Sequence, residues 1–194
     1  MLGPVPPAVY VEIDIAADLP QVWELTQEPS LHQRWDLRFS EITYEGAPLD
    51  DGTQRFRYSR RIVPGFVVTG WGETVGESRR EDGAAASALR FGSDQKRSLI
   101  HEGSGYWRYL PTDGGVRFLT RYDYEVRWGV LGRVLDRLFF RRAIGWATAY
   151  SFDTLRLWLE KHVEPVHPLR ALAAGRSPRD LPRASRCLRR PRTP

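Results

Sequence analysis

The stretch from Val130 to Lys161 runs for 32 residues without a proline. Its apolar residues recur at three- and four-residue steps, the spacing that places side chains on one face of an α-helix: Leu131, Val134, Leu135, Leu138, Trp146, Ala149, Phe152, Leu155 and Leu159. A helix of this length rises about 45 Å. Because such a helix needs a broad layer to pack against, we predict that it covers a sheet and ends before Pro165.

The middle of this predicted helix is unusually small. Ala143, Gly145, Ala147 and Ala149 fill little volume, and a glycine costs about 1 kcal/mol of helix stability relative to alanine. Two interpretations remain open, namely space for a ligand beneath the helix and close packing of the helix on the sheet. Under the first, Trp146 and Tyr150, one turn apart, would border the ligand.

The sequence before the helix has the two-residue alternation of β-strands. Turn residues divide residues 39 to 127 into six predicted strands near 39–46, 53–61, 66–77, 84–92, 97–110 and 115–127. A further strand precedes them with Val9, Val11, Ile13 and Ile15. Two short helices should follow it, capped by Asp18 and Ser30, with Pro29 ending the first. The prediction is an α+β fold in which a seven-stranded antiparallel sheet wraps around the long C-terminal helix.

This order of elements resembles the helix-grip fold of the SRPBCC superfamily, which includes START lipid-binding domains and aromatic polyketide cyclase/dehydrases. The resemblance spans about residues 8–161 and is carried by VYVEIDIAADLPQVWELTQEPSLHQRW near the N-terminus and YEVRWGVLGRVLDRLFF before the long helix. The second segment is similar to the strand, glycine and helix ending of the polyketide cyclase/dehydrase-like branch. The resemblance implies a cavity between sheet and helix for hydrophobic ligands, and it identifies no catalytic residue.

Charge separates the domain from its tail. Residues 162–194 contain eight arginines, two acids and six prolines, a net charge of +6, and the remaining 21 bases and 22 acids give −1. We therefore predict a lead-in at residues 1–7, one domain at 8–161 and a largely disordered Arg- and Pro-rich tail at 162–194 with a possible turn at 169–173. The tail could contact nucleic acid or an anionic membrane, although a solvated end is the simpler interpretation.

Composition also bears on compartment and cofactors. Of the 29 basic residues 27 are arginine, and asparagine is absent, a bias typical of a GC-rich bacterial genome. The single cysteine, Cys187, and the lack of a signal peptide pattern or an uninterrupted apolar span suggest a cytoplasmic protein. Histidines at 32, 101, 162 and 167 give no metal-ligand spacing, and no glycine-rich loop lies between a strand and a helix, so neither a metal nor another cofactor is expected.

Strand alternation predicts which side chains face the helix. The inward sets are Phe118, Thr120, Tyr122, Tyr124 and Val126; Phe56 and Tyr58; Leu89 and Phe91; Val67, Thr69, Trp71, Glu73 and Val75; and Leu99, His101, Trp107 and Tyr109. Gly103 and Gly105 could mark a bulge that shifts the last set. The predicted ligand-binding residues are Phe56, Tyr58, Trp71, Glu73, Phe91, His101, Trp107, Phe118, Tyr122, Tyr124, Trp146 and Tyr150.

Two functions fit such a cavity. The first is the binding of a small hydrophobic molecule, such as a lipid, an isoprenoid or an aromatic polyketide. The second is a cyclase/dehydrase-type enzyme in which His101 acts as general acid or base and Tyr58, Tyr122 or Tyr124 polarises a carbonyl group. Each of these residues also has a purely structural interpretation, as do the strand carboxylate Glu73 and the tail. A regulatory module that acts through the tail is a third possibility.

Overall fold

A computed structural model describes residues 7–166, 174–175, 177 and 179–192. Seven strands, two short helices and a long C-terminal helical segment follow one another in the predicted order: β1 Val9–Ile15, α1 Leu19–Gln27, α2 Pro29–Trp35, β2 Glu41–Tyr44, β3 Gln54–Val63, β4 Phe66–Arg79, β5 Ala85–Gly92, β6 Ile100–Thr112, β7 Gly115–Val126, α3 Gly129–Leu135, a π-helical turn Asp136–Phe140, and α4 Arg141–Lys161. No helix in these ranges has the length and apolar content needed to cross a bilayer.

The strands form one antiparallel sheet in the order β1-β7-β6-β5-β4-β3-β2. Strands β2 to β7 are therefore a meander of sequential neighbours, and β1 adds to the far edge by pairing with β7, for example Val11 with Thr120. The register shifts at three places: between Arg61 and Val63 of β3, between Thr74 and Gly76 of β4, and between Ile100 and Gly103 of β6. The predicted seven-stranded antiparallel sheet is confirmed, and so is the bulge suggested by the glycines of β6.

The long helix is confirmed over 33 residues, from Gly129 to Lys161, with the π-helical turn inside it. Ala149, Phe152 and Leu155 of α4 are fully buried against the sheet. The Phe152 ring stacks on Phe118 of β7 at a centroid distance of 4.4 Å. Each such buried side chain contributes about 1.5–3 kcal/mol from apolar burial, so this contact fixes the helix to the β1–β7 side of the sheet.

The short helices follow the sequence with one correction. Asp18 caps α1 in a capping box with Gln21, as its position predicts. The second helix is capped by Glu28 rather than Ser30, and Pro29 is its first residue. Proline is favoured at that position because its fixed φ suits the helix and its missing N–H is not needed there. Pro29 thus ends α1 and begins α2 at once.

The described part of the tail is ordered against the domain, which corrects the predicted disorder for residues 179–192. Leu188 exchanges two backbone hydrogen bonds of 2.9 Å with Glu12 on the open edge of β1, and Cys187 is buried in the core. Arg186 donates to the buried Asp153 of α4 at 2.8 Å, and Arg192 pairs with Glu12. The tail is thus bound to the domain by the unpaired backbone groups on the edge of β1 and by the buried carboxylates of Glu12 and Asp153. The predicted turn at 169–173 and residues 1–6 lie outside the described residues.

Candidate functional site

A cavity of about 630 Å³ lies between the concave face of the sheet and the N-terminal half of α4. This volume is within the range typical of small-molecule sites, roughly 300–1,000 Å³. Strands β2 to β7, the segment after α2 and the long helix all contribute to its wall. The wall is mostly apolar and aromatic and includes Phe39, Phe56, Phe66, Phe91, Trp107 and Ile144. The cavity is suited to a hydrophobic molecule.

Aromatic rings on the concave face lie across glycines of the next strand. Phe56 pairs with Gly72, and Tyr58 pairs with Gly70. A Cβ atom on either glycine would lie 2.2 or 2.3 Å from the facing ring, well inside van der Waals contact. A third ring, Phe91, covers a β6 glycine in the same way. The middle of the inner face of β4, at Gly70 and Gly72, is therefore covered by β3 side chains.

This arrangement reverses the predicted phase of β4. Phe66, Val68 and Thr74 line the cavity, whereas Trp71 and Glu73 project from the opposite face. Glu73 accepts a hydrogen bond from Arg55 Nε at 2.9 Å, and the ring of Trp71 lies over Gly92 of β5. The two-residue alternation predicted that Trp71 and its phase face inward, because Gly70 and Gly72 in the other phase contribute no hydrophobic signal. Trp71 and Glu73 are therefore removed from the candidate site.

The predicted position of His101 is also wrong. The bulge between Ile100 and Gly103 shifts the phase of β6, so that Ile100 lines the cavity and His101 is exposed on the outer face. There, ligand atoms of His101, Glu102 and Glu125 lie within 4.8 Å of one another. Among the described residues this is the only group of three or more with potential metal-ligand spacing; His101 and Glu125 are exposed and Glu102 is half-buried. None of the three lines the cavity.

The other predicted site residues divide into two groups. The cavity wall includes Phe56, Tyr58, Phe91, Trp107, Tyr122 and Trp146. Phe118, Tyr124 and Tyr150 are packed beside it instead: Phe118 stacks on the helix, Tyr124 donates to the buried Asp136 at 2.6 Å, and the Tyr150 ring lies 5.2 Å from that of Trp146. A role in binding for the first group remains a prediction.

The small residues in the middle of the helix have two roles: some leave space in the cavity, and others allow close packing on the sheet. Ala143 and Ala147 line the cavity. Gly145 and Ala149 are buried against β1, and a Cβ on Gly145 would lie 3.8 Å from Val9. The two sets alternate along α4 because they face different neighbours. Space for a ligand and close packing are thus both present in one turn and a half of helix.

One end of the cavity contains a buried ion-pair network that the sequence analysis did not single out. The Asp36 carboxylate is fully buried and accepts hydrogen bonds from Arg38, including one of 2.6 Å from its guanidinium. Ser151 of α4 also donates to Asp36 at 3.2 Å. Burial alone would raise the pKa of Asp36, but the Arg38 guanidinium and the hydrogen bonds hold it well below its usual range. Asp36 is therefore ionised and Arg38 is largely neutralised by it.

His32 belongs to the same network. Its Nε2 lies 3.0 Å from Asp36 Oδ2, and its ring is stacked on Trp35 at 4.9 Å and meets Trp107 edge-on. Burial lowers the pKa of His32 in spite of the neighbouring carboxylate. The imidazole is thus neutral, donates to Asp36 through Nε2, and retains an acceptor at Nδ1. Because His32 lines the cavity, it replaces His101 as the candidate acid or base.

Arg60 is a second cation on the cavity wall. It projects inward from β3, two residues beyond Tyr58, and is only partly exposed. Burial lowers its pKa, and the more distant Asp36 opposes that shift. Among the described residues no carboxylate forms an ion pair with Arg60. Arg60 is therefore a partly desolvated cation that lacks a direct anionic partner.

Two phenols complete the polar part of the wall. The Tyr122 hydroxyl lies 2.8 Å from Thr148 Oγ1, and the Arg38 guanidinium carbon lies 5.7 Å from the Tyr122 ring centroid. Tyr58 donates to the carbonyl oxygen of Gly92 at 3.2 Å. Burial raises the pKa of Tyr122 and raises that of Tyr58 to about 12. Both hydroxyls are protonated at neutral pH. Each already donates its proton within the protein, Tyr58 to Gly92 and Tyr122 to Thr148, whose own hydroxyl donates to Ile144, so a ligand would have to take the place of these acceptors.

The neutral, buried His32 predicts a specific pH dependence of stability. In the unfolded chain its pKa is about 6.5, and the folded value is lower. As pH falls below about 6.5 the unfolded state takes up the proton first, so the free energy of unfolding should decrease by up to about 1.4 kcal/mol per pH unit. Urea titrations at pH 7 and pH 5 measure this. His32→Gln, which retains a donor for Asp36, should remove the loss. Parallel pH profiles for the two proteins would contradict the assignment.

Comparisons with known proteins agree with this architecture. No model of a protein family matches the chain. The structure of a STAR-related lipid transfer protein from Xanthomonas axonopodis superposes with a TM-score of 0.61 at 15% identity, over 83% of this chain and 90% of the other. The Zhui aromatase/cyclase from Streptomyces gives 0.57 at 14% identity, over 88% and 98%.

This chain has the START-like helix-grip fold. The predicted resemblance to the SRPBCC superfamily, including its polyketide cyclase-like members, is thus confirmed at the level of fold. At such low identity the helix-grip fold does not transfer a ligand or a reaction. The cavity described above occupies the space between sheet and C-terminal helix that the resemblance implied.

A curated relative supports the bacterial origin expected from composition. The chain is 49% identical over 165 residues to a Bacillus subtilis protein named as the uncharacterized membrane protein YndG. The matched region is 84% of this helix-grip chain and 61% of that protein, so the chain spans less than two thirds of its relative's length.

Proposed function

We propose that this helix-grip domain binds a small hydrophobic molecule that carries an anionic end. The observation that carries the proposal is the presence of Arg60, a partly buried cation without an ion-pair partner among the described residues, in the wall of a mostly apolar cavity. The lipid-transfer and aromatase/cyclase structures of the same fold support a ligand-binding role. A fatty acid, an isoprenoid acid and a polyketide carboxylate or enolate all have the required chemistry.

The charge balance of the cavity favours an anion. Asp36 and Arg38 compensate each other. Arg60 and Arg97 are then the wall cations without an ion-pair partner among the described residues, and Arg60 is the more buried of the two. Keeping a cation out of water without a partner is costly, and an anionic group of the ligand would offset that cost. A neutral ligand would leave the desolvated guanidinium unpaired. The protein should therefore discriminate between ligands that differ only in the charge of one end.

A direct test compares palmitate with methyl palmitate, which has the same chain and no charge. Hydrogen bonds to charged groups contribute about 1.5–3 kcal/mol, so palmitate should bind about 10- to 150-fold more tightly. Displacement of a fluorescent apolar probe measures both affinities. In Arg60→Met the preference should disappear, while binding of the ester is retained.

Arg57→Met is the matched control for this test. Arg57 is on the same strand but on the outer face, where it is exposed and paired with Glu45. This variant should retain the wild-type preference for palmitate. Equal affinities for palmitate and its ester in the wild-type protein would rule out the anionic end, and no displacement by either would rule out binding of fatty-acid-like ligands.

The alternative is a cyclase/dehydrase-type enzyme that uses the same cavity. It is favoured by the position of His32, a neutral imidazole on the cavity wall held by Asp36 at 3.0 Å. His32 could remove a proton from a carbon between two carbonyl groups, and Tyr58 or Tyr122 could donate a hydrogen bond to the carbonyl oxygen. Turnover of a polyketide substrate that is lost in His32→Gln, with palmitate binding retained, would establish the enzyme.

The remaining sequence-based expectations stay predictions. These are the cytoplasmic location, the domain boundaries at residues 8 and 161, and contact of the tail with nucleic acid or an anionic membrane. Two of the tail's arginines, Arg186 and Arg192, already pair with carboxylates of the domain.

A further inference from the structure

Large exposed apolar side chains are concentrated at the mouth of the cavity. Fourteen such side chains are exposed in the described ranges. Nine of them lie in two segments: residues 62–63 of β3, and residues 128–146, which are Trp128 and the first part of the long helix. Leu131 and Phe139 have exposed fractions of 62% and 67%. Extended exposed apolar surface is uncommon on a soluble monomer and typically marks an interaction site.

These segments belong to one continuous rim. Ile62 and Trp146 both line the cavity from opposite sides. The loop at residues 93–99 connects the two sides, because the Arg97 guanidinium donates to Val67 of β4 at 2.9 Å and Trp128 donates to the carbonyl oxygen of Lys96 at 3.0 Å. We call residues 61–66, 94–99 and 128–146 the mouth rim.

The mouth rim is basic as well as apolar. Six exposed bases have no ion-pair partner among the described residues: Arg61, Lys96, Arg97, Arg133, Arg137 and Arg142. Its acids are the exposed Asp94 and the buried Asp136, and Asp136 is already bonded to Arg141 and Tyr124. The exposed part of the rim therefore carries six positive charges and one negative charge.

We propose that the mouth rim docks on an anionic membrane surface. Exposed Trp, Leu and Phe side chains interleaved with arginines are the pattern of helices that lie in a bilayer interface. Anionic headgroups would neutralise the unpaired bases, and the apolar side chains would enter the acyl boundary. The inference rests on the proposed function in one respect, since docking in this orientation places the cavity mouth against the lipid from which a hydrophobic ligand would enter.

Vesicle flotation tests the docking. The full chain should float with phosphatidylcholine vesicles that contain about one third phosphatidylglycerol, and less with phosphatidylcholine alone, because each base near an anionic surface adds to binding. High salt should weaken the association. Leu131→Gln combined with Phe139→Gln should lower the vesicle partition coefficient at least tenfold.

The control removes two other exposed apolar side chains elsewhere on the protein. Leu49 and Val75 have exposed fractions of 46% and 44% and lie outside the mouth rim, so Leu49→Gln with Val75→Gln should leave vesicle binding unchanged. If the wild-type protein does not float with anionic vesicles, the proposal is overturned. This holds even if the mouth rim is found to bind an acidic protein. Unchanged flotation of the Leu131 and Phe139 double variant would overturn it too.

Ligand binding is measured separately with palmitate in the absence of vesicles. Neither Leu131 nor Phe139 lines the cavity, so the double variant should bind palmitate like the wild type. If the wild type floats with vesicles but does not bind palmitate, the docking stands and the proposed ligand class fails. If it binds palmitate but does not float, the proposed function stands and the docking fails.

Discussion

Asp36→Ala should lower the free energy of unfolding by about 3–5 kcal/mol, the usual cost of leaving a buried charge without its partner. The substitution removes a fully buried carboxylate and leaves the Arg38 guanidinium, whose side chain is 14% exposed, with no counterion. It also removes the hydrogen-bond partner of His32 and of Ser151 on α4. Chemical denaturation at neutral pH measures the change.

Asp14→Ala is the matched control for this prediction. Asp14 also pairs with two arginines, Arg117 and Arg192, but its side chain is 48% exposed. Exposed ion pairs contribute about 0–1 kcal/mol, so the control should be close to the wild type. Similar losses in the two variants would show that Asp36 is not the buried anchor that connects the residues after α2 to the long helix.

Two neighbouring alanines of α4 should respond in opposite ways to enlargement. Ala147 lines the cavity, and Ala149 is fully buried in the core. Ala147→Phe should fill open space, leave the free energy of unfolding within about 0.5 kcal/mol, and reduce palmitate affinity more than tenfold. Ala149→Leu should overpack the core and cost about 1–3 kcal/mol of stability, with palmitate affinity retained in the folded protein.

This pair separates the two interpretations of the small helix middle. Denaturation curves and palmitate titrations on the same two proteins provide both readouts. If Ala147→Phe binds palmitate as tightly as the wild type, the ligand does not occupy the space beneath α4. If it instead destabilises the fold as much as Ala149→Leu, that space is too small to admit a ligand.

The sequence predicts strands well where the two faces differ in chemistry. On β7 the inward residues Phe118, Tyr122 and Tyr124 alternate with exposed charges such as Arg121 and Asp123, and the predicted phase agrees with the structure. On β4 the two central inner positions, Gly70 and Gly72, are glycines covered by rings from β3. Because the covering side chains come from another strand, alternation within β4 cannot identify its inner face.

The polar end of the cavity required tertiary information. His32 and Asp36 are four residues apart, a spacing that brings side chains together on a helix. This spacing was the one local feature of the sequence that could have indicated their contact. Their contact with Arg38, Trp107 and Ser151 joins three distant parts of the chain. The loss of His101 from the site has a similar cause, since the bulge that turns it outward depends on pairing between β6 and β7.

The tail shows the same limit of composition. Its arginines and prolines are typical of a disordered segment, yet Arg186 is held by the buried Asp153 and Leu188 pairs with β1. Both partners are more than thirty residues away in the sequence. Composition describes the tail alone, whereas its order depends on an edge strand and a carboxylate supplied by the folded domain.

Native mass spectrometry of the full chain with equimolar palmitate and methyl palmitate measures directly whether the cavity selects a ligand by its anionic end. We expect a one-to-one complex with palmitate in clear excess over the ester, at least tenfold weaker in Ala147→Phe and without preference for palmitate in Arg60→Met. The absence of any complex, or equal occupancy by palmitate and its ester in the wild-type protein, would contradict a cavity that selects a hydrophobic molecule by its anionic end.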